Sequence, residues 1–167
     1  RAPLKFNRIS SGYSFSRFHP ILRENRPHLG IDFAAPSGTP VFAVADGIVV
    51  EKGWKNGNGN MIRIRHPLGY ETMYNHLSRF GKNIRTGSRV KQMEVIGFVG
   101  TTGLSTGPHL DYRMKKNGKF VNPLLEKFPP GFPVAKEYQN LFNQVAQHML
   151  AQLEGQEFSP LKKVAGQ

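Results

Sequence analysis

Two short runs place metal-binding residue types close together: His28-Leu29-Gly30-Ile31-Asp32 and His109-Leu110-Asp111. On extended backbone, side chains alternate, so residues two or four apart share a face. His28 then points with Asp32, and His109 with Asp111. Imidazole and carboxylate are both ordinary zinc ligands, and a catalytic zinc takes three protein ligands plus water. A fifth candidate, His76, lies between the runs in Met73-Tyr74-Asn75-His76-Leu77. Each member has a plain structural alternative. His28 and Asp32 suit an ordinary histidine–carboxylate contact, Asp111 a salt bridge to Arg113, His76 a half-buried polar plug beside Tyr74, and His109 the cap of a turn after Gly107-Pro108. Together the five favour a metal site. His19, His66 and His148 lack such company; the first two fall in coil or turn contexts and the third on a helix, and all three read as structural.

Short strands joined by glycine and proline turns must carry these residues. Residues 1–27 read as a short strand, then irregular coil through His19-Pro20. Val41–Ala45, Ile48–Glu51, Met61–His66, Tyr70–Leu77, Val95–Val99 and Leu110–Met114 are strand candidates. Met61 to Arg65 runs into apolar–basic alternation, the mark of a strand with one wet face. Asn56-Gly57-Asn58-Gly59-Asn60 is a loop that tolerates left-handed backbone, and Lys116-Asn117-Gly118 turns a hairpin into Lys119-Phe120. Residues 28–122 are therefore mainly β, with many loops. After Phe128-Pro129-Pro130-Gly131 the texture changes, and apolar residues from Val134 to Leu153 recur at helical spacing. The division expected is a β domain over 1–130 and a helix and tail over 131–167, packing on the domain or on a partner.

The chain has 167 residues, 38% hydrophobic and 20% charged, with no cysteine. A soluble globular class follows, thiolate ligands and disulfides are ruled out, and no apolar run is long enough to span a bilayer. The net charge of +12 favours an anionic partner such as nucleic acid, anionic lipid or an acidic wall polymer. The basic residues are scattered, and no helix-turn-helix, zinc-finger or RNA-binding signature accompanies them, which argues against nucleic acid. The opening Arg1-Ala2-Pro3 reads as a processed start.

From about residue 9 to residue 125 the chain resembles the LytM/lysostaphin-type zinc metallopeptidases, the M23 family of peptidoglycan endopeptidases. The resemblance rests on Pro27-His28-Leu29-Gly30-Ile31-Asp32-Phe33, Val44-Ala45-Asp46-Gly47-Ile48-Val49, Tyr74-Asn75-His76-Leu77, and Gly100-Thr101-Thr102-Gly103 through Ser105-Thr106-Gly107-Pro108-His109-Leu110. It implies an antiparallel core of the duplicated hybrid type; the C-terminal amphipathic helix read from the spacing of Val134 to Leu153 lies outside the resemblance. The resemblance also implies Zn(2+) held by His28, Asp32 and Asp111, with His76 and His109 as catalytic histidines. The implied substrate is the peptide crosslink of peptidoglycan, D-alanine–meso-diaminopimelate in a Gram-negative member. Phe18-His19-Pro20-Ile21-Leu22 resembles that branch, whose members often carry extra N-terminal domains. The implied location is the periplasm or cell envelope, with membrane anchoring through a preceding region. One position departs from the family pattern: Asp111 stands where a second histidine is usual. His/Asp/Asp brings two negative charges to zinc where His/His/Asp brings one, so bound water would be less acidic. The resemblance therefore also admits a non-catalytic domain that binds wall or activates an amidase.

Overall fold

The computed structural model describes residues 2–19, 23–128 and 134–154. Two compact units divide the chain, Arg1–Glu126 and Lys127–Gln167. The first is mainly β, with strands β1 (Arg8–Ser11), β2 (Ser14–His19), β3 (Glu24–His28), β4 (Ile31–Ala34), β5 (Pro40–Phe42), β6 (Gly47–Lys55), β7 (Gly59–Arg65), β8 (Tyr70–Phe80), β9 (Arg89–Val90), β10 (Val95–Val99), β11 (His109–Lys116) and β12 (Lys119–Val121). The main sheet runs β1-β4-β11-β8-β7-β6-β9, with β12 on β11 and β10 bridging β8 and β5; β2 and β3 form a separate hairpin. All its described pairings are antiparallel, as the Gly- and Pro-punctuated short strands imply. The second unit holds α1 (Gln139–Leu153), entered through a 3-10 turn at Lys136–Tyr138. Among the described residues no helix is long and apolar enough to cross a membrane.

Alternation sorts the strands into a core face and a working face. Ile31 and Phe33 of β4, Leu110, Tyr112 and Met114 of β11, and Tyr70 and Tyr74 of β8 are buried in one core with Ile62, Ile64, Val99 and Ile96. Tyr112 packs between Tyr74, at 5.5 Å between ring centres, and Phe33, at 6.3 Å. The residues between them therefore point the other way. Asp111 pairs with Asp32 on one side and Asn75 on the other, so three polar residues stand in one row across β4, β11 and β8.

Three local features differ from the reading of the sequence. Ser14–His19 and Glu24–His28 pair as β2 and β3, so His19 lies on a strand; Pro20–Leu22, part of the motif at 18–22, lie outside the described residues. Gly59 and Asn60 already belong to β7: Gly59, at φ +66°, pairs with Lys55 of β6, and Asn60 pairs with Trp54 of β6 and Leu77 of β8. His28 and Asp32 do not share one strand: β3 ends at His28, and the chain changes sheet through Leu29 and Gly30 before β4 begins. Their convergence is thus made by a strand crossing between sheets rather than by period-two alternation.

Candidate metal centre

The β3–β4 crossing works because residue 30 is glycine. A Cβ there would lie 2.6 Å from Asp111 Oδ1, 2.7 Å from Arg113 Cγ and 2.8 Å from the Tyr112 carbonyl oxygen. With the hydrogen in its place, β3 swings His28 over the Asp32–Asp111 row. His28 Nε2 comes within 3.0 Å of Asp32 Oδ1 and 3.8 Å of Asp111 Oδ1.

His76 is placed by a bulge. Between β7 and β8 the register passes from Ile62↔Tyr74 to Asn60↔Leu77, so β8 has an extra residue there. The bulge falls on Asn75 and His76, and His76 takes φ +63°, left-handed backbone that is uncommon for a side-chain-bearing residue. The bulge breaks the alternation of β8, so that Asn75, His76 and Leu77 are all buried. Two interlocked loops hold it there: the His76 N–H donates to Asn58 O (2.8 Å), and its Nδ1 lies 2.7 Å from Thr102 O.

The three site histidines are oriented by one device. Nδ1 of His28 faces Gly12 O at 2.8 Å, that of His76 faces Thr102 O, and that of His109 faces Gly107 O at 2.8 Å. A carbonyl oxygen only accepts, so each Nδ1 carries the proton. In its neutral form each ring then leaves Nε2 as a bare lone pair. His109 Nε2 lies 3.8 Å from Asp32 Oδ1, and the rings of His76 and His109 are 4.7 Å apart between centres. Fixing a histidine through its other nitrogen is the usual outer support of a metal ligand.

This arrangement tests whether a metal fits. A bare His28 Nε2 and an anionic Asp32 oxygen, 3.0 Å apart, are two acceptors facing one another. Asp32 Oδ1 is buried and has no hydrogen-bond donor while His28 is neutral. Only a proton or a cation between them reconciles the pair. One donor atom each from His28, Asp32 and Asp111 lie within 4.8 Å of one another. Zinc bonds of about 2.0–2.2 Å at tetrahedral angles put ligands roughly 3.3–3.6 Å apart, so His28 and Asp32 need to open slightly and Asp111 to close slightly. The donor set fits a divalent cation, with Asp111 its least committed member.

Asp111 is engaged elsewhere. Arg113 grips it through Nη2 to Oδ2 (2.6 Å) and Nε to Oδ2 (2.9 Å) and Oδ1 (3.1 Å), and Asn75 Nδ2 donates to Oδ2 at 3.1 Å. The sequence offered metal ligation and a salt bridge to Arg113 as alternatives for Asp111; its carboxylate stands in both settings at once. Asp32 is gripped more loosely by Arg17, Nη1 to Oδ2 at 3.3 Å, and Arg17 also bonds Ser11 Oγ. Burial pushes the Asp111 carboxyl pKa up, but the Arg113 guanidinium outweighs it and holds the group below the usual carboxylate range. Burial lowers the pKa of His28, yet Asp32, Gly12 O and Asp111 outweigh it and the net shift is upward. His76 moves down, chiefly through burial, so its ring stays neutral near pH 7.

The site opens into a cleft of about 600 Å³ whose lining includes Arg8, Arg26, Leu104, Thr106 and the site residues. His28, Asp32, His76, His109 and Asp111 all meet there. Arg17, Asn75, Gly30 and the three orienting carbonyls were not anticipated. Arg113 carried a signal, since residues two apart on a strand share a face; backbone carbonyls carry none.

An antiparallel sheet presenting a His/Asp/Asp donor set beside two backbone-oriented histidines has the form of a metallopeptidase centre. The chain belongs to peptidase family M23, whose pattern matches residues 26–123. It is 53% identical over 130 residues to the DD-carboxypeptidase/endopeptidase Mpg of Neisseria meningitidis, and 39% identical over 154 residues to the peptidoglycan DD-endopeptidase ShyC of Vibrio cholerae. Those alignments take in 76% and 92% of this chain but 29% and 35% of the relatives, so the chain spans about a third of their length. Among solved structures it is similar to a zinc-containing peptidase from Vibrio cholerae, with TM-score 0.70 and 33% identity over 77% of this chain and 40% of that one. It is also similar to the catalytic domain of lysostaphin from Staphylococcus simulans, with TM-score 0.62 and 34% identity over 70% of this chain and 89% of that one. The fold is mainly β and of the LytM/lysostaphin type, with a C-terminal helix, and Asp111 is the atypical position of a His/Asp/Asp cluster consistent with a metal-binding site.

Proposed function

We propose that this domain binds the peptide stems of peptidoglycan in the cell envelope through the cleft around His28, Asp32 and Asp111, as a wall-binding member of its family rather than a hydrolytic one. The carrying observation is the state of Asp111. The residue in the third donor position has both oxygens bonded by Arg113, and Oδ2 by Asn75 as well, so its charge is shared with a guanidinium. A divalent ion there is held less firmly than by an imidazole and is a poorer Lewis acid. Wall binding needs no strong Lewis acid. It needs a groove and positive charge, which Arg8 and Arg26 on the cleft and the net +12 of the chain supply toward acidic stems. A domain seated on the stems in this way is also suited to presenting them to a partner amidase.

A second reading is favoured by one observation. His76 and His109, with Nε2 bare and Nδ1 tied to backbone, form a pair that binding alone does not require. In this reading the domain is a zinc endopeptidase cutting the D-alanine–meso-diaminopimelate crosslink, in keeping with the names of its relatives. His28, Asp32 and Asp111 would hold the ion, which supplies a Lewis acid and an acidified water when bound. His76, neutral near pH 7, would accept a proton at Nε2, and His109 across from it would hold the developing oxyanion through Nε2–H once protonated.

Purified sacculi separate the two. The chain is incubated with them, with added zinc and with chelator, then sedimented, and the supernatant is analysed by mass spectrometry. Co-sedimentation without release of soluble muropeptides supports wall binding. Chelator-sensitive muropeptide release establishes the endopeptidase and overturns the first reading. Neither binding nor release overturns both.

A further inference from the structure

We propose that Arg113 is the built-in counter-cation of this site, and that it sets how tightly the site takes a divalent ion by competing with that ion for Asp111. The inference rests on the metal-site reading of His28, Asp32 and Asp111 and goes beyond it by assigning a positioning role to a residue outside the donor set.

The geometry carries it. Arg113 follows Asp111 by two residues on β11, so both side chains leave the same face, and the guanidinium folds back along the strand onto the carboxylate. Planar, always charged and presenting several donors, it is the side chain best suited to hold a carboxylate at two oxygens. Gly30 makes the fold-back possible, since a Cβ there would meet Arg113 Cγ at 2.7 Å and Asp111 Oδ1 at 2.6 Å. Asn75 completes the hold at 3.1 Å, leaving Oδ1 as the oxygen nearer His28. The Asp111 carboxylate is therefore electrically satisfied before any metal arrives.

Two consequences have the same sign. A divalent ion drawing on Asp111 Oδ1 must weaken a charge-assisted pair that already exists. It must also sit near a fixed positive charge, which repels it. Removing the guanidinium lifts both costs and leaves a buried carboxylate in need of a cation. At a separation of several Å, the repulsion alone corresponds to about tenfold or more in affinity even when well screened. Arg17 does not share the role equally, because its single 3.3 Å contact is to Asp32 Oδ2, the oxygen turned away from His28.

The test uses the full chain and zinc itself, titrated against a chromophoric chelator, with wild type, Arg113→Gln, Arg113→Lys and Asp111→Asn compared. Arg113→Gln is expected to bind zinc at least tenfold more tightly than wild type, to melt lower without metal, and to gain more in melting temperature when zinc is added. Arg113→Lys keeps the charge and should stay near wild-type affinity, while Asp111→Asn should bind more weakly. Equal or weaker binding by a folded Arg113→Gln overturns the proposal while leaving the metal site standing. Absence of zinc from every variant overturns the metal site and the proposal together. Should Arg113→Gln fail to fold, the wild type still decides: zinc should shift the Arg113 Nε–H resonance and speed its exchange with water, and an unmoved resonance on a zinc-loaded protein overturns the competition.

Discussion

Replacing Gly30 by alanine tests whether the crossing from β3 to β4 is what brings the donor set together. The added methyl group would stand 2.6–2.8 Å from three heavy atoms, where ordinary contact needs 3.4 Å or more. Two of those neighbours cannot easily retreat. The Tyr112 carbonyl belongs to a strand paired on both sides, and Asp111 is fixed by Arg113 and Asn75. Overpacking a tight interior costs about 1–3 kcal/mol, and a backbone oxygen among the clashing atoms puts Gly30→Ala near the upper end. In a domain of this size each kcal/mol is worth roughly 3–5 °C, so a fall of about 6–15 °C in melting temperature is expected. Any relief has to shift the β3–β4 crossing that carries His28 or force the Arg113-held Asp111 out from under it, so zinc affinity should fall together with stability. Urea unfolding and a zinc titration measure both. Gly107→Ala is the control, because a Cβ at Gly107 meets nothing within 4 Å. Stability within about 0.5 kcal/mol of that control, the ordinary range for an innocuous surface change, would refute the reasoning.

Other tests follow from the same geometry. His76→Ala and His109→Ala should each leave zinc stoichiometry unchanged, measured by metal analysis, because neither ring belongs to the three-donor cluster; where sacculus digestion reveals hydrolysis, each should abolish it. Tyr74→Phe should cost about 1–3 kcal/mol in chemical denaturation, because the buried hydroxyl accepts from Val44 N–H at 3.2 Å and lies 3.1 Å from Thr72 Oγ1. His66 provides a test of pH dependence. Its Nδ1 donates to Asp46 O, its Nε2 lies 2.7 Å from Thr72 Oγ1, and burial of the ring lowers its pKa. The unfolded chain then binds a second proton on the ring more readily, so the His66 contribution to stability is complete above about pH 6.5 and declines as pH falls through that value. Melting curves between pH 5 and pH 8 should therefore be flatter for His66→Gln than for wild type, and equal slopes would show that His66 titrates unhindered.

What could be read from the sequence depended on whether a period or a local clash was involved. Strand β10 falls where its Val and Ile residues place it and β11 where Gly107-Pro108 and Asn117-Gly118 bound it; the shared face of His109 and Asp111 follows from alternation, whereas the row of Asp32 and Asp111 needs the β4–β11 register. The β2–β3 hairpin was missed because Ser14-Phe15-Ser16-Arg17-Phe18 and Glu24-Asn25-Arg26-Pro27-His28 lack a buried face to impose a pattern; most of their side chains are exposed or half-buried. The helix is registered as a helix, but its first turns from 134 are extended and 3-10 before α1 begins at Gln139. His76 owes its position to a bulge and a left-handed φ, neither of which leaves a mark on an otherwise alternating run.

The unusual residue at 111 is best understood as half of a pair. An aspartate alone would add a full negative charge to a donor set that is neutral at that place in most of the family, and the buried carboxylate would be costly without metal. With Arg113 folded over it, Asp111 and its partner are neutral together, as an imidazole is. The carboxylate and the guanidinium therefore have to be exchanged jointly. Asp111→His alone would strand Arg113, buried over most of its length, without its anion, so restoring the family's ligand type should succeed in stability and zinc binding only when Arg113 is replaced as well. A double-mutant cycle through Asp111→His and Arg113→Gln should show strong coupling between the two positions, and simple additivity would mean that each acts on the site independently.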